Sequence, residues 1–117
     1  MASPYFAEFL GTLVFLCIIL LVVYWLVGFA SNFVVALLIG LGLFLGIWIC
    51  LSLSGPGFLN PAVAIQNGVI GDKGASYIFT MILVELFAVV IALALYYFIV
   101  GSWSTKSSMA AAKTSVE

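Results

Sequence analysis

Histidine and arginine are absent from the 117-residue chain, and charge of either sign is scarce: three lysines against four acids, a net charge of −1. With no basic patch there is no electrostatic footprint for nucleic acid. Without histidine, and with the acids scattered, neither a metal site nor nucleophilic catalysis has parts to work with, so no enzyme activity, metal or cofactor is expected. Cysteine is rare too. Cys17 and Cys50 lie inside apolar runs and read as packing groups, because a disulfide framework or metal site would need more ligands. No basic segment precedes the first apolar run, which is longer than a signal-peptide core, so that run is expected to stay in the mature protein.

What the chain has in abundance is apolar sequence: 67% of residues are hydrophobic and 6% charged, with a mean hydropathy of +1.42. That is the make-up of an integral, multi-pass membrane protein. A helix needs roughly 20 apolar residues to cross a bilayer, and three runs qualify, Tyr5 to Gly28, Asn32 to Leu51 and Ala75 to Gly101. The turn "GFASN" makes the first two antiparallel neighbours. Residues 1–103 therefore form the membrane domain, and the polar residues 104–117 are expected to be a flexible tail.

Between the second and third runs lies "LSGPGFLNPAVAIQNGVIGDKG", residues 53–74. Asn60 followed by Pro61 is a strong helix start: Asn accepts from a backbone N–H two or three residues on, and Pro fits the first helical position. Gly68, Gly71 and Asp72 are expected to stop this helix. Its ten residues, "PAVAIQNGVI", reach about 15 Å, half of a hydrocarbon core about 30 Å thick. If it dips into the bilayer, its first N–H groups face a region where lipid offers no acceptor, so protein or water must be there. The sequence points to a wet pathway near Asn60, with an interfacial surface helix as the alternative.

At these residues "SGPGFLNPAVAI" resembles the Asn-Pro-Ala loop of the aquaporin, or major intrinsic protein, family, and "YFAEFLGTLVFL" resembles the start of that family's first helix. The similarity runs from about Tyr5 to Val100 and corresponds to one half of a family member: an all-α fold of three spans plus one re-entrant loop and half-helix over about 53–70. The family's usual chain carries two such halves in inverted orientation. The resemblance thus implies a passive channel for water and small neutral solutes such as glycerol, completed as an antiparallel homodimer. Two Asn-Pro-Ala half-helices (Asn60, Pro61, Ala62) would meet at midplane, and eight chains would make four pores. Lys73 lies on one side of the membrane and Lys106 and Lys113 on the other, a weak bias that permits both orientations. Two half-helix N-termini would disfavour cations at the pore centre.

The same resemblance assigns a selectivity constriction to Ile39, Phe58 and Val63. Val63 stands where the family often has arginine, which implies a wider, more apolar filter. Glu8 matches a glutamate that buttresses the loop, and Glu85 sits near a family glutamine, with loop support as its expected role. A proton-coupling role is the alternative for both. Gly40, Gly42 and Gly46 offer small faces for helix packing. Trp25, Trp48, Tyr96, Tyr97 and Trp103 read in part as interface anchors, with a lumen-facing position open for Trp48. Two other readings fit a chain this short: a dual-topology, proton-coupled small multidrug exporter, which needs four complete spans, and a non-conducting membrane subunit awaiting a partner.

Overall fold

The computed structural model describes residues 2–115, and the side chains of 103–109, Trp103 and Lys106 among them, lie outside that description. Four helices follow in order: α1 (Pro4–Leu26), α2 (Asn32–Ser52), α3 (Pro61–Ile70) and α4 (Ala75–Thr114). Each of the first three starts where a side chain can serve an unpaired N–H. Ser3 Oγ accepts from Tyr5 N (3.2 Å), Ser31 Oγ from Val34 N (3.4 Å) and Asn60 Oδ1 from Ala62 N (2.8 Å). Pro4 and Pro61 occupy first-turn positions where a missing N–H costs nothing. Gly28, at φ 96°, turns the chain between α1 and α2.

Ring contacts fix the directions. Tyr5 packs on Tyr77 at one end of the molecule (centroids 6.1 Å apart) and Tyr24 on Tyr96 at the other (5.4 Å). α1 and α4 therefore run parallel. α2 packs on the side of α1 away from α4 and runs in the opposite sense, since a Cβ on Gly11 would lie 2.6 Å from the Gly46 carbonyl oxygen and one on Gly42 would lie 2.7 Å from Ile18 Cγ2. Three helices, Pro4–Leu26, Asn32–Ser52 and Ala75–Ser102, are long and apolar enough to cross a membrane.

Buried positions follow helical spacing. Gly42, Gly46 and Cys50 recur every fourth residue on α2; Gly46 and Cys50 meet Gly11 and Ala7 of α1 and Gly42 meets Ile18, so the backbones approach closely, as membrane helices do when small residues line the seam. On α4 the buried stripe is Met81, Glu85, Ala88 and Ala92. Large apolar side chains point outward instead, Phe29 at 92% and Phe33 at 75% exposure among them, the inverse of a water-soluble domain.

Three features differ from the sequence expectations. Gly40 is exposed with open space where its Cβ would be, because two residues of helix turn it about 200° from Gly42, onto the opposite face. Gly68 does not stop α3: it is buried within the helix against Ile78, which a Cβ would approach to 2.3 Å, and the helix ends at Gly71. The segment expected to be a flexible tail is helical to Thr114, favoured by the alanine run of "MAAAKT".

Candidate functional site

α3 runs back alongside α4. Gly68 faces Ile78 near the start of α4, and the other end of α3 lies beside Glu85, whose carboxyl is close to the Asn60 backbone N–H. At 1.5 Å per residue, Glu85 is about 15 Å into α4, so Asn60 lies near the middle of a bilayer-spanning length. Among the described residues, α4 is the one helix that touches α3, through the face carrying buried Ala64 and Gly68. The opposite face, with Ile65, Gln66 and Val69, is exposed.

The loop leading to Asn60 is gathered onto one side chain. Glu8, fully buried, accepts from Gly57 N (3.1 Å), Phe58 N (3.2 Å) and Leu59 N, and from the Cys50 thiol (3.2 Å). Gly57 N also reaches Cys50 Sγ at 3.2 Å. The loop bends to do this through Ser54 (φ 68°), Gly57 (φ 74°) and Leu59 (φ 55°). For the two non-glycine residues the left-handed backbone costs on the order of 1–2 kcal/mol each, which the shared carboxylate offsets. Gly55 tucks beneath: its Cβ would collide with Cys50 Sγ at 2.5 Å and Ala7 Cβ at 2.6 Å.

The peptides here are trans, so each carbonyl points opposite to the next residue's N–H. Three N–H groups aimed at Glu8 thus turn the carbonyls of Pro56, Gly57 and Phe58 away from it. None of these oxygens has a donor among the described residues. The first turn of α3 is nearly satisfied by comparison: Ala62 N goes to Asn60 Oδ1 and Ala64 N to Asn60 O. The Asn60 amide Nδ2 and the Val63 N–H have no partner among the described residues.

Glu8, expected to buttress the loop, accepts from three loop N–H groups. The support expected of Glu85 takes another form: it is 1% exposed, close to Glu8 and Asn60, but neither carboxyl oxygen makes a hydrogen bond. Thr12 Oγ1, one turn beyond Glu8, is also buried and unpartnered. Phe58 and Val63 flank Asn60, half-buried, whereas Ile39 lies on α2, which does not approach α3, so one chain does not gather the three. Trp48 is 61% exposed, Trp25 is 46% exposed, and Tyr24, Trp25, Tyr96 and Tyr97 pack edge-on at the end of the molecule where α1 ends. Sequence reading missed Cys50 as a loop contact; a cysteine in an apolar run carries no signal of it. Gly55 and Gly57 carried one, being glycines clustered in a loop.

The fold defines an all-helical chain whose three long apolar helices fit a membrane-spanning protein, with a loop and a short helix folded against α1 and α4. No family model, curated protein or solved structure matches the chain. The resemblance to the major intrinsic protein family rests on the residue pattern alone.

Proposed function

We propose that the chain forms half of a passive channel for water and small neutral solutes, glycerol included, completed by a second copy in the opposite orientation. The observation that carries this reading is the set of unpartnered polar groups around Asn60: three loop carbonyls, the Asn60 amide and the Val63 N–H. In hydrocarbon each such group costs several kcal/mol, so water or another chain must meet them. A row of acceptors ending in donors is what a file of water molecules requires. α3 is uncovered on the side away from α4, which leaves room for an inverted copy whose half-helix meets the first at Asn60. Ile39, Phe58 and Val63 carry no charge, so a constriction drawn from two chains would admit uncharged solutes larger than water.

One observation favours a second reading. A buried, unpartnered carboxyl such as Glu85 is what a proton-coupled exporter uses, although that class needs four spans and three helices here are long enough. The test is osmotic shrinkage of liposomes holding the purified chain, beside Asn60→Leu at equal density. Fast shrinkage lost in the variant, independent of a proton gradient, supports the channel. Solute flux only under a proton gradient supports the exporter, and no flux from the chain alone supports a subunit awaiting a partner.

A further inference from the structure

On the outside of the α1–α4 seam, at the end where both helices begin, lies a groove of about 340 Å³ bordered by Tyr5, Phe6, Phe9, Thr80, Leu83 and Phe87. Its walls are aromatic and aliphatic. Phe6 and Phe87 are 53% and 57% exposed, and the Phe9 and Phe87 rings stack at 5.6 Å. From Thr80 to Phe87 the groove's α4 wall runs about 10 Å along the helix, about a third of a hydrocarbon core about 30 Å thick.

The mouth is chemically different from the walls. Tyr5, which borders the groove, packs on Tyr77, and the Lys73 ammonium lies 5.9 Å from the centre of the Tyr77 ring. Lys73 is exposed and, among the described residues, its ammonium engages no carboxylate, neighbouring Asp72 included. A cation and two phenols therefore stand at the mouth of an apolar groove that runs part of a leaflet's depth.

We infer that this groove holds the upper part of one acyl chain of an anionic phospholipid, with the lipid phosphate at Lys73, Tyr5 and Tyr77. Charge complementarity selects the occupant: a second copy of this chain would bring only apolar side chains or its own weakly charged ends, whereas an anionic lipid fills slot and mouth together. The inference requires that the three apolar helices lie in a bilayer, and it is independent of the channel reading.

The experiment is native mass spectrometry of the purified chain released from bilayers of equal phosphatidylglycerol and phosphatidylcholine. Wild type is expected to retain phosphatidylglycerol about fivefold over phosphatidylcholine, the ratio equivalent to about 1 kcal/mol for one lysine at an anionic surface. Lys73→Gln should bring the ratio near one, and Lys113→Gln at the far end of α4 should leave it unchanged. Phe9→Ala with Phe87→Ala should reduce retention of both lipids while helical content stays native. Equal retention of the two lipids by wild type would overturn the inference. So would a preference that follows Lys113 instead of Lys73, displacement of the lipid by inorganic phosphate, or lipid retained by neither monomer nor dimer.

Discussion

Two segments sit side by side and are held in opposite ways. The loop from Ser54 to Leu59 is fixed by Glu8 and Cys50 and wedged over a seam where Gly11 and Gly46 leave no spare volume. α3, which continues from it, rests on α4 through Ala64 and Gly68 and is otherwise uncovered. The difference shows in the two buried glutamates. Glu8 converges four donors, whereas Glu85, close to it, has none. Position along the chain is specified on the loop side, and freedom to meet another surface is left on the helix side.

That contrast can be broken most severely at Glu8. Glu8→Ala strands the Phe58 and Leu59 N–H groups at about 1–3 kcal/mol each and leaves Gly57 N only the Cys50 sulfur, and the expected result is loss of the folded loop, read as a large fall in stability in bicelles. Gly46→Ala comes next: its methyl would meet Leu59 Cδ2 at 2.5 Å and the Gly11 carbonyl at 2.8 Å. Overpacking of this kind costs about 1–3 kcal/mol. Gly68→Ala meets only the Ile78 side chain, so it should cost less, and Gly40→Ala nothing measurable within one chain. A denaturation series of the three variants would test that order. Asn60→Ala removes the α3 cap and should cost about 1 kcal/mol in the same assay. Little effect is expected at Glu85. Glu85→Gln replaces an unpartnered buried carboxyl with a neutral amide and should leave stability unchanged or raised, whereas Glu8→Gln, which puts an amide N–H against backbone donors, should lower it.

Helices α1 to α3 and the beginning of α4 were legible because their caps are local: Ser, Asn and Pro act within three residues, and the apolar runs set the lengths. Glu8 was legible through the resemblance its neighbours carry. Cys50, Gly68 and Gly40 were not, since a thiol's contact or a glycine's facing depends on residues dozens of positions away. The extension of α4 to Thr114 is not legible from polarity, which suggests a tail, although alanine, lysine and methionine favour helix on or off the membrane.

The Glu8 carboxylate is also a statement about time. It belongs to the first helix, and its three loop donors lie 49, 50 and 51 residues later. A chain made from its N-terminus outward has its acceptor in place before the donors emerge. The loop can therefore close as soon as it is synthesised, while α3 must wait for α4, the helix it rests on.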